Sequence, residues 1–161
     1  MHYKKRLLLF FMTIIIGTLL IGCADTSMNI LYNNNSEIAK DYNSFSLNRC
    51  EETVDKNVYK GRLKLTGHII IWDYESDKDL DLEVPYKLLV KKGKAKIVLI
   101  SPDNKVITLI ENTAKSSNKE NTSIKLPIKK GNNRIKLVGF DNADIQAELH
   151  IDRGTFSKRS F

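Results

Sequence analysis

The sequence predicts an all-β protein: a single antiparallel β-sandwich, jelly-roll-like or Ig-like, of about eight strands, preceded by a signal segment and a polar tether. Three observations carry this expectation. From Tyr59 onward apolar residues recur at alternate positions in short runs, and each run closes on Gly, Pro, Asn or Asp. No stretch of roughly 10–15 residues in that region keeps a helical period, which argues against a parallel α/β sheet.

The chain has 161 residues, 42% hydrophobic and 28% charged, and one domain is the natural count. Residues 1–22 read as a secretory signal. Lys4, Lys5 and Arg6 form a basic opening, and Leu7 to Gly22 is an uncharged apolar run, shorter than the roughly 20 residues a helix needs to cross a bilayer. That run ends in Leu20-Ile21-Gly22-Cys23. The tetrapeptide, in this context, resembles the lipobox of bacterial lipoproteins, where an aliphatic residue, a tolerant position and a small residue precede an obligatory cysteine.

The resemblance implies diacylglyceryl attachment to the Cys23 sulfur and cleavage after Gly22, on the extracytoplasmic face of the cell membrane. Two acyl chains, at about 0.8 kcal/mol per buried methylene, hold a protein durably on a bilayer. Usage rich in Asn, Ile and Lys associates the chain with low-GC Gram-positive bacteria. Cleavage leaves 139 residues, with the 26 basic residues reduced to 23 against 19 acids, a net charge of +4. That mild, scattered charge gives no footprint of a nucleic-acid binder. The partners expected are the membrane, through the anchor, and an envelope polymer or protein.

Residues 23–57 are expected to be the lipidated cysteine and a polar tether, with MNILY as a candidate first edge strand. Lipidation of Cys23 leaves Cys50 without an intramolecular partner. Glu51 and Glu52 beside Cys50 disfavour its thiolate, so an incidental thiol is expected.

The sandwich is expected over residues 58–152. Leu63 and Leu65 alternate before Thr66-Gly67, and Ile69-Ile70-Ile71-Trp72 is a continuous apolar run. Leu80 to Val90 alternate before Lys92-Gly93, with Pro85 marking an edge or bulge. Ala95, Ile97 and Leu99 follow, with Val98 and Ile100 on the opposite face. Ser101-Pro102-Asp103-Asn104-Lys105 is a turn, and Val106 to Ile110 returns from it. After a long loop, AKSSNKENTS, come Ile124 to Ile128, the turn KKGNN, Ile135 and Leu137, the turn FDNAD, and Ile145 to Ile151. Residues 153–161 read as a loose basic tail.

GKAKIVLISPDNKVITLIE and SIKLPIKKGNNRIKLVGFDNADIQAELHID resemble, in strand-and-turn rhythm, the β-sandwich domains of small lipoproteins of clostridia and bacilli. They are also similar to jelly-roll carbohydrate-binding modules, in which a GxNxIxLxG strand leads to a closing strand. The resemblance spans Tyr59 to Asp152 and speaks to architecture more than to activity.

Chemistry is sparse. His68 and His150 are the histidines beyond the signal segment, too few for a zinc site. There is no G-x-S-x-G elbow or phosphate loop. The acidic alternation Asp73, Glu75, Asp77, Asp79, Asp81, Glu83 fails as an EF-hand: from Asp73, Lys78 stands where glycine must turn and Val84 where the bidentate glutamate must be. Its period of two makes it a solvated strand face broken by a turn at Ser76-Asp77-Lys78-Asp79, with Lys87, Lys91, Lys92, Lys94 and Lys96 as cross-strand partners. No metal, cofactor or catalytic residue is expected.

The functional expectation is a non-catalytic binding or interaction module at the cell envelope. One alternative is a carbohydrate or wall-polymer module using Trp72 and Tyr74 as a stacking platform, against which stands the ordinary role of a lone tryptophan in a core. Another is an envelope hydrolase whose site is assembled without a recognisable motif.

Overall fold

The computed structural model describes residues 28–116 and 122–159. The expected signal segment and the expected lipidation site Cys23 lie outside the described residues. Among those described, no helix is long and apolar enough to cross a membrane.

The fold is all-β and antiparallel. Seven strands form one sheet: β1 (Ser44–Asp55), β2 (Val58–Ser76), β3 (Leu80–Ile100), β4 (Val106–Thr113), β5 (Thr122–Ile128), β6 (Gly131–His150) and β7 (Thr155–Phe156). The order is β1-β2-β6-β3-β4, with β5 on β3 and β7 on β2. Three strands are about three times the usual length of roughly six residues: β2, β3 and β6 span 19, 21 and 20 residues.

Those long strands bend back on themselves. Trp72 lies thirteen residues beyond Tyr59 on β2, a run of about 43 Å if straight. Yet Phe156, which pairs with Trp72, stacks on the Tyr59 ring with centroids 5.9 Å apart. The sheet is therefore creased, and its halves close over one shared core from Tyr59 to Phe156. One half holds β1, β5 and the segments 58–65, 80–92 and 143–150; the other holds β4, β7 and the segments 67–76, 94–100 and 131–139.

The crease is written in the residues first read as turns. Pairing shifts between Leu65 and Gly67, again on either side of Lys92, and Asp141 and Asn142 of β6 take positive φ of 58° and 49°. Gly67 has φ +95°, and a Cβ there would stand 2.2 Å from the Ser44 carbonyl oxygen, a conformation and approach that only glycine tolerates. Thr66-Gly67, Lys92-Gly93 and FDNAD thus bend strands that continue, instead of reversing the chain. Six of the eight or so expected strands thereby merge into three, and β1 and β7, in segments read as tether and tail, bring the total to seven. A further bulge between Ile70 and Trp72 switches strand parity, so the apolar run Ile69 to Trp72 supplies Ile69, Ile71 and Trp72 to one core.

The expected tether is folded from Met28. Residues 28–30 are helical, so MNILY is not an edge strand. A 3₁₀ turn (Leu31–Asn33) and a short helix, α1 (Asn35–Ile38), follow. Asn34 caps α1, its side-chain oxygen accepting from the Glu37 N–H at 3.2 Å. Tyr32, Ile38 and Ala39 then pack on Val98, Ile100 and Val138, the outer face of the second half-sheet. Tyr32 lies edge-on to Phe140 at 5.7 Å, with the Lys94 and Lys96 ammonium groups 4.5 and 4.7 Å from its ring centre. Residues 28–43 are accordingly a strap, a third layer that the apolar outer positions of the sheet require. β1, also within the expected tether, is an edge strand.

The C-terminal residues are not a loose tail either. β7 joins the sheet, and Arg159 forks onto Glu52 of β1, Nε to Oε2 at 2.7 Å and Nη2 to Oε1 at 2.6 Å. The Arg159 backbone N–H donates to Glu52 Oε2, Nη1 donates to the Ile70 carbonyl, and the Tyr59 hydroxyl donates to Glu52 Oε1 at 2.6 Å. Burial alone would raise the Glu52 carboxyl, but Arg159 and Tyr59 outweigh it and hold it below its ordinary value.

Candidate functional site

The stacking platform weighed as an alternative is not on the surface, and the ordinary core role of the tryptophan is what the fold shows. Trp72 is fully buried, and its indole N–H donates to the Arg153 carbonyl at 2.8 Å. Tyr74 packs partly buried against it, centroids 5.7 Å apart, with its hydroxyl accepting from Arg153 Nη1. The bulge after Ile70 turns both rings toward the core, which overturns Trp72 and Tyr74 as a paired sugar platform.

The acidic alternation resolves into strand and turn. Asp79 takes the Lys129 ammonium and the Lys130 backbone N–H, both at 2.8 Å, and these hold its carboxyl below the usual range. Asp81 pairs with Lys125 at 2.8 Å. The observed partners come from β5 and the link after it, not from Lys87 to Lys96, because β3 pairs with β5 over this stretch. Among the described residues no group of three or more His, Cys, Asp or Glu is placed to hold a metal ion. The Cys50 thiol donates to Glu52 Oε2 at 3.3 Å, and burial followed by Glu52 pushes it up to about 11. His150 Nε2 stands 3.1 Å from Glu148 Oε1, while Asp152 accepts from the Asn57 side chain.

What the structure does bring together lies under the strap. An open groove of about 980 Å³ separates the strap from the β3–β4 turn and the start of β6, bordered by Asn35, Lys40, Tyr42, Asn104, Asn132 and Arg134. Tyr42 is 46% exposed, and its hydroxyl donates to Glu37 Oε2, whose carboxylate also takes the Lys40 ammonium. Arg134 is fixed from both walls, donating to the Ala39 carbonyl at 2.9 Å and to Asn104 Oδ1 at 3.3 Å. Ala39, Pro102 and Val106 give the depression apolar wall between these amides, the guanidinium and the ring, the mixture of apolar surface and a few placed polar groups that orients small molecules.

Behind the groove, Lys136 and His68 are fully buried. The Lys136 ammonium donates to the carbonyls of Lys40 at 2.6 Å and Tyr42 at 2.8 Å, and meets His68 Nδ1 at 3.2 Å. Lysine has donors only, so Nδ1 accepts, and His68 is neutral with its proton on Nε2. Burial and then Lys136 lower His68 to about 4. Burial and then Arg134 lower Lys136 to about 8. Sequence reasoning passed over this pair because a lysine on an alternating strand reads as solvent-facing; the signal was the apolar company of Val98, Ile100 and Val138 on the same face.

A pH dependence follows. Because the folded value of His68 lies below the ordinary 6.5, the unfolded chain takes up the proton first. The stability is present above about pH 6.5 and lost as pH falls toward 4. Between about pH 7 and pH 4.5 the loss from this group is expected to be on the order of 2–3 kcal/mol in urea denaturation. His68→Gln keeps the carboxylate contribution, Glu52 included, and loses this one. Equal pH slopes in parent and variant would refute the assignment.

No protein family matches the sequence, and neither a curated protein nor a solved structure matches it.

Proposed function

We propose that the chain is a lipid-anchored, extracytoplasmic binding module of the cell envelope with no catalytic role of its own. The observation that carries the reading is Leu20-Ile21-Gly22-Cys23 at the end of a basic-then-apolar segment, close ahead of a domain that is folded from Met28. A diacylated cysteine gives the durable attachment that one acyl chain would not. The groove beneath the strap is where such a module takes a polar ligand; Trp72, being core, takes none.

The test is metabolic labelling with a radioactive fatty acid in the producing bacterium. The parent chain is expected to incorporate label, and Cys23→Ser to incorporate none while the signal segment stays attached. Persistent labelling of Cys23→Ser overturns the anchor.

A further inference from the structure

We infer that the creased end of the domain is a docking surface for anionic lipid headgroups, so that the domain rests on the bilayer crease-down with its groove turned away. This rests on the lipid-anchor reading and adds which face meets the membrane.

The path of the chain sets the geometry. Met28 and Asn29 lie at the crease: the Ser44 hydroxyl reaches Met28 Sδ at 4.0 Å, and the Asp141 backbone N–H donates to Asn29 Oδ1 at 2.8 Å. Cys23 precedes Met28 by five residues, at most about 18 Å of chain. An anchored Cys23 thus keeps the crease within that distance of the headgroups. The strap runs from there to Ala39 and Lys40, at the far end of the sheet beside the β3–β4 turn, which places the groove on the distal side.

The chemistry of the crease matches. Across the strands Lys64 stands opposite Arg49 and Asp144, Lys92 opposite Asp144, and Lys94 opposite Phe140, with Lys91 adjoining. Arg49, Lys64, Lys91, Lys92 and Lys94 gather here with Asp141 and Asp144, while Arg49 pairs with Glu51 at 3.8 Å and Glu111 of β4 lies across from Lys96. Among the described residues no ion pair engages Lys64, Lys91 or Lys92. Ile30, 67% exposed, follows Asn29 in the strap. The acidic alternation from Glu75 to Asp81 sits at the opposite end, on the β2–β3 hairpin. Basic residues held near an anionic leaflet are attracted to it individually, and the attraction fades within a Debye length.

The experiment uses the full lipid-modified chain reconstituted on two kinds of vesicle, phosphatidylcholine alone and phosphatidylcholine with phosphatidylglycerol. Lysines are labelled with a water-soluble acylating reagent and read by mass spectrometry. Lys64, Lys91 and Lys92 are expected to label about fivefold more slowly on the anionic vesicles, the scale of one lysine's attraction to such a surface, with Lys125 and Lys129 unchanged. K64Q/K91Q/K92Q is expected to float with both vesicles and to show no lipid-dependent protection at Lys94. Flotation with both vesicles but equal labelling of the three lysines overturns the docking face and leaves the anchor standing. Failure to float with either overturns the anchor, and the docking face with it.

Discussion

Arg159→Ala is expected to lower folding stability by about 3–5 kcal/mol, the cost of leaving a buried charge without its partner. Glu52 is the stranded group. Its side chain has no exposure and that of Arg159 only 12%, so neither water nor salt replaces the lost fork. Five donors converge on this carboxylate: Nε and Nη2 of Arg159, the Arg159 backbone N–H, the Tyr59 hydroxyl and the Cys50 thiol. Urea denaturation at neutral pH measures the loss, and truncation after Ser157 should reproduce it. Glu52→Met combined with Arg159→Met should recover part of it, since removing both charges leaves no uncompensated ion. A loss below about 1 kcal/mol, the scale of an exposed surface pair, would show that the C-terminal clasp is not formed.

Trp72→Ala carries the second large effect, again about 3–5 kcal/mol, now from cavity formation in a packed core. The indole is enclosed by the second half-sheet and by the link into β7. A Cβ on Gly154 would stand 2.7 Å from both Cε2 and Nε1 of the ring, and Gly154 itself sits at φ +75°. Truncation would also leave the Arg153 carbonyl without its donor. Trp72→Phe should cost distinctly less, because it keeps most of the volume. As Trp72 is the only tryptophan of the chain, its emission reports on the same site: blue-shifted in the folded protein and red-shifted through the urea transition. A near-neutral Trp72→Ala would return the ring to the surface and revive the stacking platform.

Strand content was legible from the sequence because alternation is local: Leu80, Leu82, Val84, Tyr86, Leu88 and Val90 point one way wherever the strand lies. The crease was not, since Thr66-Gly67 and Lys92-Gly93 carry the same residue types whether a strand reverses or bends. Only the pairing of β6 along both β2 and β3 separates the two outcomes. Nor was the strap legible: NNNSE punctuates a chain equally well as tether or as helix cap. Its burial comes from Tyr32, Ile38 and Ala39, too few to give a period. Arg159 was read as one more tail cation because its partner stands 107 positions earlier. The groove has a similar origin, joining Asn35, Asn104 and Asn132 from three distant segments.

The central place of β6 bears on when the domain comes into being. It is the last long strand made, yet it fills the middle of the sheet, hydrogen-bonded to β2 on one side and β3 on the other. Until residues 131–150 are synthesised, β2 and β3 share no ladder, and the clasp at Arg159 completes later still. Contacts of such long sequence separation make folding slow. A nascent chain of this topology cannot close its sheet until residues 131–150 exist, and it stays unfolded until then, which is the state the export proposed above requires.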